Sequence, residues 1–255
     1  MASTNKRVFY SQPEIVAGYD EQRFGGASGA RVSAREIELA LSMIPPVGNV
    51  LDLACGTGRL ANALAARGQA VVGLDASPHM AAIAAETALV AIGNAFAMPF
   101  ADDSFAAVAA LRLAFHYPEL GSLLEEMRRV TMPGGSLVLD TYTWSPRAAI
   151  AFGATAWGGR VHIHSRRRVA ESAAAVGLRI DRAEGCFLFS PYLYRLAPLV
   201  LERAFEAMET RVPDAWLCRV FWKLTVPNAI ARTEPARANS ARTDSARANS
   251  DGRPA

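Results

Sequence analysis

The sequence predicts an α/β protein with a doubly wound, Rossmann-like and mostly parallel sheet. Between Asn49 and Tyr142, short apolar runs typical of β-strands alternate with helix-like segments. The first run ends in the glycine turn CGTGR, at the position where such folds bind ligands. Strands joined by single helices form right-handed crossovers, which place helices on both faces of the sheet.

Five strands and three helices are predicted in this region from hydrophobic periodicity. The strands cover residues 50–54, 70–75, 89–94, 105–111 and 136–142. The helices cover residues 59–67, 78–88 and 118–130. In the last helix Leu123, Met127 and Val130 share one face, the pattern of an amphipathic helix.

The segments outside this region complete the domain plan. We expect a helical lid over residues 1–48, a main domain over 49–230 and a helix at 166–176 that Ser165 caps. The last two strands are predicted at 178–189 and 217–225. Between them, residues 190–213 form a helical insertion with apolar spacing at Leu201, Phe205 and Met208. We interpret it as a cap over the substrate, with ordinary packing against the sheet as the alternative. The near-identical decapeptides ARTEPARANS and ARTDSARANS predict a disordered tail over residues 231–255.

Charge, apolar runs and cysteine spacing argue against nucleic-acid-binding, membrane-spanning and disulfide-bonded classes of protein. The net charge of +3 over 255 residues is too small to indicate nucleic acid as a partner. No run of eighteen apolar residues predicts a transmembrane helix, and the first residues lack the apolar core of a secretory signal. Three widely spaced cysteines fit reduced thiols better than disulfides. We therefore expect a cytoplasmic protein.

The glycine turn leaves two kinds of ligand open. Gly56 and Gly58 allow close approach of the backbone, and Asp75 ends the second strand, where a carboxylate accepts hydrogen bonds from ribose. Gly56-x-Gly58-x-x-Ala61 also fits the relaxed dinucleotide fingerprint. Asp52, four residues before Gly56, favours a ligand with a cationic amine over a pyrophosphate, which it would repel.

Four segments in order carry a family resemblance: VLDLACGTGRLANALAARG, VVGLDASPHM, GNAFAMPFADDSFAAV and EEMRRVTMPGGSLVLDTY. Together they closely resemble the class I S-adenosylmethionine-dependent methyltransferases, including the quinone-biosynthesis C-methyltransferases. The resemblance implies a seven-stranded sheet of order 3-2-1-4-5-7-6 with an antiparallel hairpin at its end. It also implies S-adenosyl-L-methionine as cofactor.

The resemblance assigns residues to each part of that cofactor. The methionyl part would lie against Asp52, Ala54, Cys55, Gly56 and Gly58, and the ribose against Asp75, with Ala76 and Met80 beside it. Asn94 and Ala95 would meet the adenine, and Leu111 and Arg112 would border the sulfonium. From the lid, Tyr19 would cover the cofactor and Arg23 would pair with its carboxylate. Relatives usually carry Asp at the positions of Asn94 and Ala106. We expect Asn94 to lower cofactor affinity, because its amide accepts from the adenine amino group without charge assistance, and we expect the change at Ala106 to remove a structural group.

The acceptor side is less determined. His116 and Tyr117 follow the fourth strand, where relatives line the substrate cleft; His116 is a candidate base, with helix-start packing as the alternative. His162 and His164 share a face of a predicted strand, but no third ligand is evident and no metal is expected. Arg166, Arg167 and Arg168 are a candidate contact for an anionic substrate group or a membrane surface.

We therefore predict methyl transfer by in-line displacement to a small-molecule or lipid-like acceptor, with a quinone-like ring as the first choice. A monomer or homodimer is expected. Two alternatives stay open at this point. One is an NAD(P)-dependent oxidoreductase, although no Tyr-x-x-x-Lys pattern follows the glycine turn. The other is a non-catalytic family member that acts as a scaffold, for which Asn94 and Ala106 are the support.

Overall fold

A single seven-stranded sheet organises the chain. The computed structural model describes residues 8–145, 148, 161–189, 191, 194 and 199–228. The strands are β1 (Val50–Leu53), β2 (Val71–Asp75), β3 (Leu89–Ile92), β4 (Phe105–Ala110), β5 (Thr131–Tyr142), β6 (Arg179–Cys186) and β7 (Arg219–Thr225). Their order is β3-β2-β1-β4-β5-β7-β6, which confirms the predicted topology. The first five strands run parallel, and β7 pairs antiparallel with both β5 and β6.

Helices cover the sheet and one end of its strands. They are α1 (Pro13–Ala17), α2 (Tyr19–Phe24), α3 (Gly26–Met43), α4 (Arg59–Ala66), α5 (Pro78–Ala84), α6 (Gly121–Val130), α7 (Arg166–Ala175) and α8 (Leu199–Glu209). Short 3₁₀ helices occupy Ala114–His116 and Asp214–Trp216. Ser165 caps α7 as predicted, since its side chain accepts a hydrogen bond from the Arg168 N–H. None of the helices in the described residues is long and apolar enough to cross a membrane.

Several element boundaries differ from the prediction for local reasons. β5 begins at Thr131, five residues early, because Thr131 pairs with Phe105 before an irregularity shifts the register to Ser136 and Ala107. β6 ends at Cys186 rather than at residue 189, since Phe187 adopts a left-handed backbone with φ of 63°. α6 begins at Gly121, because a 3₁₀ turn at Ala114–His116 occupies the preceding connection.

The sheet separates two buried apolar clusters, one on each face. In the central strand β4, Val108 and Ala110 belong to one cluster and Ala107 and Ala109 to the other. These four residues are 0% exposed, as expected for a strand covered on both sides. This rigid centre holds the carboxyl ends of β1, β2 and β4, where the candidate site lies.

The helix of the predicted cap packs differently from the sequence expectation. Phe205 lies against Phe189, with ring centroids 4.9 Å apart, but Leu201 and Met208 are 48% and 46% exposed. Phe205 therefore packs inward, and the interpretation of this helix as a substrate cap stays a prediction. The buried residue is Glu209, which accepts hydrogen bonds from backbone N–H groups at the end of β6 and from the Tyr194 hydroxyl. The predicted tail over residues 231–255 lies outside the described residues.

Candidate cofactor and acceptor cleft

One cleft lies beyond the carboxyl ends of β1 to β4, under the N-terminal helices. Its empty volume is about 1130 Å³, including space open to solvent, which is large enough for a nucleotide-sized ligand. The lining residues are Tyr10, Tyr19, Asp52, Leu53, Ala54, Cys55, Gly56, Thr57, Arg59, Leu60, Leu74, Asp75, Ala76, Ser77, Met80, Gly93, Asn94, Ala95, Leu111, Arg112, Leu113, His116 and Tyr117. All predicted site residues line this cleft except Gly58 and Arg23.

The turn after β1 brings backbone groups into the cleft. Ala54, Gly56 and Gly58 have φ values of 58°, 57° and 88°, so the chain turns through three left-handed residues within five positions. A Cβ added to Gly56 would meet nothing within 4 Å, which leaves its face open to a ligand. At Gly58 a Cβ would lie 3.2 Å from Ala84, so this glycine serves close packing of the turn against α5. Gly58 thus shapes the turn from behind the cleft.

Asp52 lies at the end of β1 beneath this turn. It is 2% exposed, and its Oδ2 accepts a hydrogen bond from the Ala61 N–H at 3.0 Å. Burial raises the pKa of Asp52 to about 7, although the Ala61 hydrogen bond and the charge of Arg59 oppose the change. A carboxyl group in this state gains most from a cationic ligand, because a nearby positive charge favours its ionised form.

Asp75 joins the ends of the first two strands. Its Oδ2 accepts a hydrogen bond from the Gly56 N–H and its Oδ1 from the Ser77 N–H, both at 2.8 Å. Burial raises the pKa of Asp75, while these backbone hydrogen bonds lower it. The carboxylate therefore fixes two ligand-facing turns and keeps acceptor capacity toward the cleft, since each oxygen has two lone pairs.

The third turn lies after β3. The Asn94 side chain accepts a hydrogen bond from the Phe96 N–H at 3.2 Å, which leaves its NH₂ group as the donor toward the cleft. Ala95 lies beside it, and Met80 borders the same region at 3% exposure. Ala95 and Met80 thus offer apolar surface beside the Asn94 amide.

The N-terminal helices close the cleft from above through specific contacts with the glycine turn. The Thr57 hydroxyl donates to Asp20 Oδ1 at 2.9 Å, and the Phe24 ring lies 3.5 Å from the Arg59 guanidinium. Tyr19 lines the cleft. Arg23 is 8% exposed and lies 5.6 Å from the Tyr19 ring centre, outside the lining. Its pairing with a cofactor carboxylate therefore stays a prediction.

The far wall of the cleft is aromatic. The ring centroid of Tyr10 lies 5.8 Å from that of His116 and 6.1 Å from that of Tyr19. Tyr117 lies edge-on to Phe96, with centroids 4.7 Å apart. The imidazole of His116 thus lies among aromatic rings at the cleft wall.

The segment that carries His162 and His164 supports this wall from behind. The His162 N–H donates to the Phe115 carbonyl at 2.8 Å, and the His164 Nε2 lies 3.1 Å from the Tyr117 carbonyl oxygen. His164 is 0% exposed, and burial lowers its pKa, which keeps the imidazole neutral. Within the described residues no three His, Cys, Asp or Glu side chains are arranged to hold a metal ion.

The arginines at the start of α7 do not form a free cationic patch. Each of the three is paired with a carboxylate of the protein: Arg166 with Asp214, Arg167 with Glu171 and Arg168 with Glu119. The compensating anions at this helix start are therefore side chains, and the suggested contact with an anionic substrate has no support here. None of the described residues of the 190–213 insertion lines the cleft.

Sequence reasoning missed four polar cleft residues, which are Tyr10, Thr57, Arg59 and Ser77. Thr57 and Arg59 stand inside the recognised CGTGR stretch, so their position was a signal that could have been used. Tyr10 lies far from any motif, and only the folded lid brings it to the cleft.

Comparisons with known proteins agree with this geometry. Residues 51–139 match the family described as a methyltransferase domain. An uncharacterised methyltransferase of Mycobacterium leprae is 38% identical over 131 residues, which cover 48% of each chain. The demethylmenaquinone methyltransferase of Thermus thermophilus is 35% identical over 147 residues, covering 53% of this chain and 66% of that protein. The chain thus spans about half to two thirds of the length of these curated relatives.

A solved structure shares the fold at low identity. It is geranyl diphosphate C-methyltransferase from Streptomyces coelicolor, in complex with Mg²⁺, geranyl diphosphate and S-adenosyl-L-homocysteine. It superposes with a TM-score of 0.58 at 20% identity, covering 77% of this chain and 80% of that one. Residues 51–139 thus match a methyltransferase domain, and the chain shares the strand order and fold of a solved methyltransferase.

Proposed function

We propose that the protein transfers a methyl group from S-adenosylmethionine to a small, largely apolar acceptor. The observation that carries the proposal is the pair of carboxyl groups, the buried Asp52 and the partly buried Asp75, that flank the glycine turn in one cleft. A dinucleotide pyrophosphate would be repelled by Asp52. A ligand made of an amino acid joined to a nucleoside can place its ammonium group at the Asp52 carboxyl and its ribose hydroxyls at the Asp75 carboxyl.

The residues present fit this cofactor. Gly56 leaves room for close approach, and Met80 and Ala95 offer apolar contact for a base. Bound there, S-adenosylmethionine supplies a methyl group on a positively charged sulfur, ready for in-line displacement. The protein's task is then to align the acceptor, to exclude water and to remove a proton where the acceptor carries one.

The acceptor wall favours an aromatic or quinone-like molecule. Tyr10, Tyr19 and Tyr117 provide ring surfaces, and His116 provides an imidazole as the candidate base. Proton transfer would run from the acceptor's O–H or acidic C–H to the imidazole of His116. Similarity to a demethylmenaquinone methyltransferase supports this class.

A reducing compartment such as the cytoplasm suits the protein. Cys55, Cys186 and Cys218 are all free and buried, and burial raises the pKa of each thiol. Protonated, enclosed thiols of this kind are inert and form no disulfides.

The first test is ligand binding. In a thermal-shift assay, S-adenosylhomocysteine should raise the melting temperature and NAD should not. The rise caused by S-adenosylhomocysteine should be smaller in Asp52→Asn. Asp103→Asn is the matched control, because Asp103 is exposed in a turn outside the cleft. Stabilisation by NAD alone would refute the proposal.

The second test is turnover. Incubation with isotopically labelled S-adenosylmethionine and a metabolite extract, followed by mass spectrometry, should reveal a labelled aromatic product. Tight binding of S-adenosylhomocysteine with no labelled product in any extract would favour the scaffold alternative instead.

A further inference from the structure

The two outer strands of the sheet differ in charge. At one end, β6 carries Arg179, Asp181, Arg182 and Glu184, and it pairs these residues within the strand, Arg179 with Asp181 at 2.8 Å. Charged side chains of this kind keep an outer strand from pairing with other chains. At the other end, β3 has the sequence LVAI and no charged side chain. The β3 edge therefore lacks the protection that β6 has.

The surroundings of β3 are also poor in charge. Residues 76–101 contain one Asp, Glu, Lys or Arg, which is Glu86, although such residues make up 20% of the chain. On the strand itself, Leu89 and Ile92 are 72% and 59% exposed. The flanking segments add exposed uncharged residues, which are Ala82, Ala85, Ala97 and Pro99. Exposed apolar side chains along an unprotected strand edge indicate a surface that another chain covers.

The backbone of β3 gives this edge a direction. The Gly93 N–H donates to the Asp75 carbonyl at 2.9 Å, so Gly93 and, by the alternation of a strand, Ala91 direct their N–H groups at β2. The N–H and C=O groups of Val90 and Ile92 therefore point away from the sheet. Within the described residues β3 ends the strand order, so these two donors and two acceptors are open to a further strand.

The outward groups fit a second copy of the chain in one register. In a two-fold antiparallel pairing centred on Ala91, Val90 lies opposite Ile92 of the partner subunit, and each such pair exchanges two hydrogen bonds. A pairing centred on Val90 would need the Ala88 N–H, which already donates to the Ala84 carbonyl at 3.0 Å. The register centred on Ala91 thus uses every outward group of the strand.

The side chains are compatible with the same register. Leu89 lies opposite the partner's Gly93, and only apolar residues face each other, so no charge is buried and no like charges meet. A copy of β6 placed against β6 would instead enclose charged side chains from both chains. β3 alone spans ~13 Å, so the flanking residues have to contribute to the interface, and we expect a dissociation constant on the order of 1–100 µM.

We propose that a second copy of this chain docks along the β3 edge, so that the two seven-stranded sheets join through one antiparallel seam. Leu89 and Ile92 do not line the cleft, and assembly is measured without any ligand. The inference therefore stands or falls independently of the function proposed above.

The first arm of the test is sedimentation velocity of the full chain from about 1 µM to about 1 mM, the range of weak interfaces. Wild type should shift from monomer to dimer within this range. Ile92→Lys should raise the dissociation constant of the dimer on the order of 100-fold, because it removes apolar burial and brings two ammonium groups together at the seam. Val47→Lys is the matched control, since Val47 is an apolar residue that is 74% exposed before β1, and it should leave the constant unchanged.

The second arm tests the register. In a seam centred on Ala91 the two Ile92 side chains are diagonal neighbours, about 7–8 Å apart and within reach of long side chains. Ile92→Lys and Ile92→Glu should each be monomeric alone and should form a heterodimer when mixed. Should Ile92→Lys lower the melting temperature of the monomer, Leu89→Lys takes its place in the first arm, because Leu89 is the more exposed of the two residues.

Three results would overturn the inference. One is a wild type that stays monomeric throughout the concentration series, which would leave the edge to a strand of a different protein. Another is a dimer that persists unchanged in both Ile92→Lys and Leu89→Lys. The third is a mixture of Ile92→Lys and Ile92→Glu that remains monomeric.

Discussion

Replacing Asp52 with Asn removes a carboxyl group whose ionisation is costly in the ligand-free fold. Asp52 is 2% exposed, and burial raises its pKa from 3.8 to about 7. Because one pKa unit corresponds to about 1.36 kcal/mol, ionising this group costs about 4 kcal/mol more in the folded than in the unfolded chain. Asn keeps the shape and can accept the Ala61 hydrogen bond, but it cannot ionise.

The sign of the pH effect follows from the raised pKa. The folded chain binds this proton more tightly than the unfolded chain, so the stabilisation is fully present below about pH 4 and is lost as the pH rises through about 7. In urea titrations across this range, the free energy of unfolding of Asp52→Asn should rise relative to that of wild type as the pH increases. The difference should reach up to ~4 kcal/mol above pH 7. The exposed control Asp103→Asn should follow wild type throughout.

Ionisation of Asp52 should affect ligand affinity in the opposite direction from its effect on stability. The ammonium group of S-adenosylhomocysteine favours ionised Asp52, so wild-type affinity should rise with pH up to about 7, with release of a proton below it. Calorimetry in two buffers of different ionisation enthalpy gives the number of protons released on binding. Asp52→Asn should lack the proton that wild type releases from Asp52. A difference in unfolding free energy between wild type and variant that stays constant from pH 4 to 8 would refute the reasoning.

Three further variants test the surrounding structure. Glu36 is buried in a charge cluster with Arg59, Arg112 and Arg219. Glu36→Gln should lower the free energy of unfolding by about 3–5 kcal/mol, because it leaves these arginines uncompensated, and the exposed neighbour Glu38→Gln should leave it nearly unchanged in the same urea titration. Gly58→Ala should destabilise more than Gly68→Ala in thermal unfolding, since both have positive φ but only Gly58 has a close neighbour, at 3.2 Å. Thr57→Val should lose the hydrogen bond to the lid, about 1 kcal/mol, and speed hydrogen exchange in α2; exchange equal to wild type would contradict that role.

The sheet and the cofactor half of the cleft could be predicted because their signals are local. Asp52, Gly56 and Asp75 stand at fixed positions relative to strand ends, and parallel strands bring those ends together. The left-handed Ala54 had no such signal, because alanine does not favour positive φ. Its conformation is imposed by the turn around it.

The buried carboxylates could not be predicted in the same way, because their partners lie far away in the sequence. The apolar spacing of α8 gave no sign that Glu209 is buried. Its carboxylate accepts hydrogen bonds from the Phe187 and Leu188 N–H groups just after β6. Glu36 did leave a trace, as a charged residue within the buried stripe that includes Val32 and Ala40 of α3. Which cations would surround it could not be read from the sequence.

The ion pair between Glu36 and Arg219 spans 183 residues of sequence. Since Arg219 lies on β7, a nascent chain cannot complete the charge cluster until nearly all of the domain has left the ribosome. Until then Glu36 has fewer partners, and burying it is unfavourable. The lid helix that is synthesised first should therefore dock late, and the cleft stays open through most of synthesis.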